Sequence, residues 1–287
     1  MFRKIEFLLV VALAAAAAAA AAKEECVVFV HINKSGGQTI KSVLHAQSRQ
    51  IALCSEREFR ANRCRPPRHF RGKSVRGWTF VGDSTMALLG WLGGRCVVFS
   101  LFRDPVARLV SSLRYCRRSP SDHLCGTAVL DAKDATLEQW ARHQRGFVFL
   151  RLVLANATRT KVEARGVYDD DGAAVVPTWI EHQRAMLYPR ADMDPRLAEL
   201  SRQLEQGRLM DAVGILEWPD ETARLFDRWV PLRGINWTAA LTKYKANAHT
   251  STRPSLRVVP PSVRAYLDYD YPIFRAVQNR ILAALKS

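Results

Sequence analysis

A short apolar run that breaks into paired glycines constrains this chain more than any other stretch: Val27–Ile40, V-V-F-V-H-I-N-K-S-G-G-Q-T-I. Val27 to Ile32 is apolar and β-branched, the composition of a strand buried on both faces of a parallel sheet. At Asn33 it gives way to a turn holding Lys34, Ser35, Gly36 and Gly37, and from Thr39 the spacing of Ile40, Val43 and Leu44 is helical. Strand, glycine turn and helix together aim the first backbone N–H groups of the helix at an anion. Adjacent glycines permit close backbone approach because no Cβ intervenes. Lys34 adds a cation, and Ser35 and Thr39 add hydroxyl donors. The turn reads as a phosphate cradle; the alternative is an ordinary strand–helix turn whose Lys34 is solvated.

This cradle departs from the nucleotide-triphosphatase loop, G-x-x-x-x-G-K-[ST], because its lysine precedes the glycine pair. No strand ending in a magnesium-binding aspartate stands out, so metal-assisted hydrolysis has little support. A second strand end has the same character. Cys96–Phe102 (C-V-V-F-S-L-F) reads as a buried strand followed at once by Arg103, then Asp104 as helix N-cap and Pro105 at the first helical position. Val106, Leu109, Val110 and Leu113 continue the helix, with Ser111 two turns in and Arg108 nearby. Ligands of open α/β sheets gather at the carboxyl ends of strands. Lys34 and Arg103, at two such ends, would grip two phosphates of one nucleotide.

The amino terminus is a targeting element. Arg3 and Lys4 precede Phe7–Val11 and the alanine tract Ala14–Ala22, the pattern of a secretory signal or signal anchor. The apolar run falls short of the ~20 residues of a comfortable span, and both cleavage and retention as a single-pass anchor are open. Residues 1–25 are therefore set apart from 26–287. Entry into an oxidising compartment makes the six cysteines candidates for disulfides. Cys116 with Cys125, and Cys54 with Cys64, enclose short polar loops; Cys26 and Cys96 each begin an apolar strand. No C-x-x-C pair is present, so no zinc site is expected. Asn156-Ala157-Thr158 and Asn236-Trp237-Thr238 are glycosylation acceptors; Asn33-Lys34-Ser35 fits too but is expected to stay bare.

Lysine and arginine number 43 against 27 acids, a net charge of +16. That excess implies a polyanionic partner or an anionic membrane surface. Aromatic-basic recognition motifs for nucleic acid are missing, which leaves an anionic glycan as the expected partner.

Elsewhere, Arg49–Gly77 reads as a basic surface loop, Trp78–Val81 as a second strand ending at Gly82-Asp83-Ser84, and Met86–Leu92 as a helix closed by Gly93-Gly94. Leu137–Ala155, Thr178–Leu187 and Pro195–Gly207 read as helices. Asp211–Leu216 is a further strand. Glu217–Val230 is a helix with Ala223, Leu225, Phe226 and Trp229 on its apolar face. Lys243–Arg257 is a basic loop, and Ser262–Leu285 holds one or two amphipathic helices. The turn Asp169–Gly172 lacks the spaced ligands of a calcium loop. The fold class expected is α/β, a P-loop-like central parallel sheet flanked by helices, in a single domain.

These motifs resemble the Golgi carbohydrate sulfotransferases, especially the branch containing the heparan sulfate 2-O- and 6-O-sulfotransferases. Their first strand and loop read H-I-P-K-T-G-G-T-[ST]; this chain has H-I-N-K-S-G-G-Q-T from His31 to Thr39. Their R-D-P-x-x-R-x-x-S-x-[YF] is met by Arg103–Ser111, with Leu113 where an aromatic is usual. Gly214–Thr222 (G-I-L-E-W-P-D-E-T) and the pattern around Tyr266–Phe274 are also similar. The resemblance implies 3′-phosphoadenosine 5′-phosphosulfate as donor, without a metal. Lys34, Ser35, Gly36, Gly37, Gln38 and Thr39 would hold its 5′-phosphosulfate, and Arg103 and Ser111 its 3′-phosphate. Lys245, Arg253 or Arg257, in the loop where relatives close over the nucleotide, would contact donor phosphate or glycan.

The resemblance also implies a type II Golgi membrane protein with a lumenal catalytic domain, a secreted form being the alternative. The general base of related enzymes is often a histidine after a glycine; here Gly82 is followed by Asp83. Asp83 is the first candidate base and His69 the second, while His31 reads as a structural residue at a strand end. Two other readings remain at this point: a lumenal nucleotide-dependent kinase, and a non-catalytic glycan-binding protein on a degenerate sulfotransferase scaffold.

Overall fold

The computed structural model describes residues 26–47, 51–55, 75–81, 96–120, 125, 131–149, 152, 190–232, 234–247 and 259–286. For Cys26 and for 51–55, 75–81, 190–193 and 243–247, only the backbone is considered. Strand β1 (Cys26–His31) is central in the sheet, because its residues alternate between two apolar layers and have to be covered on both sides. It pairs in parallel with β3 (Val75–Val81) on one side and β4 (Val97–Phe102) on the other. β2 (Ile51–Ser55) extends the sheet beyond β3, and β5 (Ala212–Ile215) beyond β4. The order β2-β3-β1-β4-β5 is parallel throughout. The architecture is an α/β one, with the parallel centre β1-β4-β5 packed between helices.

One face carries Val28, Val30, Val98, Val213 and Ile215. Against it lie α4 (Arg190–Glu205) through Leu200 and Leu204, α8 (Asp270–Lys286) through Ile273, Val277 and Ile281, and Phe147–Phe149. The other face carries Val27, Phe29, Val97, Phe99 and Leu101, one residue out of step. It is covered by α1 (Gly37–Ala46), α5 (Pro219–Trp229) and α6 (Trp237–Asn247). There Phe99 meets Phe226 at 5.4 Å and Phe226 meets Trp237 at 5.1 Å between centroids, all three fully buried. Truncating any one of them costs about 3–5 kcal/mol. A third cluster joins α2 (Pro105–Arg118) to α3 (Leu137–His143) and to Val263 of α7 (Pro261–Ala265). Its closing disulfide, Cys116–Cys125, matches the local staple read from the sequence.

Several boundaries differ from the sequence reading. Arg49–Gly77 contains β2 and the first residues of β3, so it is not loop throughout. The helix expected over Leu137–Ala155 is broken after His143 by a turn over Gln144–Gly146, Gly146 at φ 63°, and helical backbone resumes at Phe147–Phe149 and at Leu152. Residues 243–247, expected in a loop, continue α6. Trp229 is 47 % exposed rather than part of the apolar face of α5; Arg228 lies over its ring. Met86–Leu92, Thr178–Leu187, the turn at Asp169 and the partner loop cysteine Cys64 lie outside the described residues. So does the amino-terminal segment; among the described residues no helix is long and apolar enough to cross a membrane.

Candidate functional site: the carboxyl edge between β1 and β4

The chain leaves β1 for β2 and β3 on one side, and leaves β4 for β5 on the other. Such a reversal opens a crevice outside the carboxyl ends of the two strands, the usual ligand position in open parallel sheets. The turn after β1 (Ile32–Gly36) and the Arg103-Asp104 junction after β4 meet there. Arg103 Nη1 donates to the Lys34 carbonyl oxygen at 3.2 Å. The two strand ends singled out in the sequence are therefore adjacent in space.

The turn after β1 has an unusual backbone. Lys34 takes φ 66° and Gly36 φ 84°. For a lysine the left-handed region costs of order 1–2 kcal/mol. The Lys34 ammonium rests 3.8 Å from the centroid of Tyr115, on α2. Ser111 lies one turn before Tyr115, so the two share a face of α2. Lys34 thus joins Arg103, through its carbonyl oxygen, to Tyr115, through its ammonium. Helix α1 begins at Gly37 with Gly36 as its N-cap, no side chain capping it and no acidic residue in its first turn. The Thr39 and Ile40 amides donate to the Gly36 carbonyl at 3.0 and 3.4 Å, which leaves those of Gly37 and Gln38 leading the helix. Ser35, 1 % exposed, and Asn33, 5 % exposed, bury Oγ and Nδ2 without a hydrogen-bond partner. Gln38 is exposed and Thr39 half-buried on the first turn.

Both glycines answer to protein packing. A Cβ on Gly36 would lie 2.8 Å from Leu101 Cδ2 and 3.0 Å from Leu216 Cδ1. On Gly37 it would lie 1.8 Å from His31 Cδ2. His31, stacked on Phe29 at 5.9 Å, holds the start of α1 against the end of β1, the structural role its position suggests. The turn is required by the fold as well as suited to an anion.

A third strand end, unassigned in the sequence reading, also reaches this edge. Glu217, two residues beyond β5, accepts the Asp104 amide on Oε2 at 3.2 Å and places Oε1 3.5 Å from Arg103 Nε. Although Glu217 is exposed at the surface, the partial burial of its carboxyl at this contact raises it above the ordinary range, offset in part by the Asp104 amide and the Arg103 charge. The signal was present: Glu217 directly follows the apolar run Asp211–Leu216, but it was absorbed into the helix after it. Arg108, by contrast, points away into the core. It is 1 % exposed, pairs Nη2 with Asp270 Oδ2 at 3.3 Å and covers the Phe147 ring at 4.4 Å. Asp270 Oδ1 also accepts the Val148 amide at 3.0 Å.

Asp83, His69, Arg253 and Arg257 lie outside the described residues, and for Lys245 only the backbone is described, on α6. Val81, opposite His31, ends β3 at this same edge. Among the described residues no group of three His, Cys, Asp or Glu side chains is placed to hold a metal ion. What the edge can do is bind an anion between a helix start and two cations. Compared with protein-family models, curated proteins and solved structures, the chain matches none.

Proposed function

We propose that this protein transfers a sulfuryl group from 3′-phosphoadenosine 5′-phosphosulfate to a hydroxyl of an anionic glycan, on a P-loop-like sheet. The observation that supports this most is the contact between Arg103 and the Lys34 carbonyl at the β1–β4 reversal. It brings within one crevice two motifs that the sequence separates by 69 positions. In this reading the turn Lys34–Thr39 binds the 5′-phosphosulfate, and Arg103 with Ser111 the 3′-phosphate. The acceptor oxygen attacks sulfur in line with the bridging oxygen. A new S–O bond forms as the bond to the 5′-phosphate breaks, and adenosine 3′,5′-bisphosphate leaves. Lys34 and the first amides of α1 stabilise charge growing on that leaving phosphate. Asp83, or His69 in its place, takes the acceptor proton. The excess of basic residues suits a polyanionic acceptor, and the reading carries with it a Golgi lumenal location behind the amino-terminal segment.

The test is sulfuryl transfer from the labelled donor to heparan-type glycans, with and without chelator. Turnover indifferent to chelator, and reduced at least about a hundredfold in Lys34→Ala, is the expected result. Unaltered turnover in that variant, or magnesium-dependent use of ATP instead, would overturn the proposal. Salt-sensitive glycan binding with no turnover would also overturn it, in favour of a binding protein.

A further inference from the structure

We infer that Glu217 is a positioning residue for Arg103, and that its carboxylate competes with anionic ligands for that guanidinium. The inference rests on the proposed assignment of Arg103 to a phosphate. The contacts form a chain across three strand ends: Glu217 after β5, Arg103 after β4 and the Lys34 carbonyl after β1. Glu217 engages the junction at two points, since its second oxygen takes the amide of Asp104, the next residue. Asp104 is itself fixed, its Oδ1 accepting the Ala107 amide at 2.9 Å as the N-cap of α2. The carboxylate therefore holds the backbone on which Arg103 is carried and stands as a countercharge 3.5 Å from Nε, which it faces without a hydrogen bond. A guanidinium has five N–H donors in a planar fork. With Nε turned to Glu217 and one Nη1 hydrogen given to Lys34, the remaining N–H groups are presented in a defined direction.

The same geometry sets a cost for anions. A phosphate on Arg103 would stand a few ångströms from a carboxylate on the other side of one guanidinium, and like charges at that separation repel appreciably in a partly desolvated crevice. Neutralising Glu217 relieves the repulsion while leaving an oxygen to accept the Asp104 amide. Its carboxyl already lies above the ordinary range through desolvation, so an arriving anion would favour proton uptake there. Among the described residues, the charged groups acting on Glu217 are Arg103 and Asp104 from the β4–α2 junction. The helix that follows it, α5, carries Asp220 and Glu221 in its first turn. Tyr271 of α8, with Arg264 of α7 and Arg275 of α8 around it, faces Asp104 behind them.

The experiment is calorimetric titration of the whole protein with adenosine 3′,5′-bisphosphate between pH 5.5 and 8. Wild type, Glu217→Gln and Glu217→Asp are compared at each pH, so that titration of the ligand cancels. Glu217→Gln is expected to bind roughly tenfold tighter than wild type at pH 8, the advantage shrinking as the pH falls. Glu217→Asp, which keeps the charge, should keep the wild-type pH profile. Equal affinities of wild type and Glu217→Gln across the range would overturn the inference while leaving the donor site standing. So would an aspartate variant that behaves like the glutamine one. Absence of binding in all three proteins would remove the donor site and the inference together.

Discussion

Gly36 and Gly37 are neighbours held for different reasons: one for its positive φ and its contact with Leu101 and Leu216, the other for the ring of His31. Gly37→Ala should destabilise the protein by about 1–3 kcal/mol through overpacking, measured by denaturant unfolding. In a His31→Ala background most of that loss should vanish; a full loss there would show that the ring is not the cause. His143 gives a pH test. Its ring lies tilted against Trp140 at 5.2 Å between centroids, its Nε2 is buried without a partner, and desolvation lowers its pKa from the ordinary 6.5. The unfolded chain therefore binds the proton more readily, and stability is lost as pH falls below 6.5 towards the folded value. His143→Phe should flatten that limb in unfolding measured from pH 7 to pH 5. Glu217 and Asp270, both raised by desolvation, act with the opposite sign. Their contribution is present below the ordinary 4.5 and 3.8 and fades as pH rises through their folded values.

At the scale of elements, α2 does two jobs. Its start forms the crevice, and its first full turn is bolted to α8 by the buried Arg108–Asp270 pair. Asp270→Ala should cost about 3–5 kcal/mol, because it removes the buried countercharge of a buried guanidinium. Replacing both partners together with apolar residues should recover much of that; an equal or larger loss in the double variant would argue against the pair as the cause. β5 is tied to α5 in a comparable way, Thr222 Oγ1 lying 2.9 Å from both the amide and the carbonyl of Ile215. Thr222→Val should cost about 1–3 kcal/mol by unpairing the buried Ile215 amide, the carbonyl still accepting from Trp218 at 3.0 Å, and by moving α5 it should disturb Glu217. The strands with long apolar runs, β1, β4 and β5, were legible in the sequence because burial on both faces leaves an unmistakable composition. β2 was not. Ile51–Ser55 is short, and the arginine-rich, proline-broken sequence after it outweighed a five-residue signal. Nor was α6, whose last residues take up the start of the expected loop Lys243–Arg257, because lysines read alike in a helix and in a loop.

For the molecule as a whole, what sequence could not supply was the neighbour order. Periodicity reports which residues are buried, not which strand lies beside which. Half of the candidate site was nonetheless legible: Lys34 and Arg103 declare themselves as cations at strand ends. Glu217 and Tyr115 do not, since each acquires its role only once β4 has been placed between β1 and β5 and α2 over the turn after β1. The central claim is that these strand ends make one site for a doubly phosphorylated adenosine. It is tested most directly by thermal unfolding with adenosine 3′,5′-bisphosphate or ATP, in wild type, Lys34→Ala and Arg103→Ala. Adenosine 3′,5′-bisphosphate at about a hundred times its dissociation constant should add about 2.7 kcal/mol to wild type. ATP should add far less, and either substitution should abolish the gain. Equal stabilisation by ATP, or full stabilisation of both variants, would contradict the account.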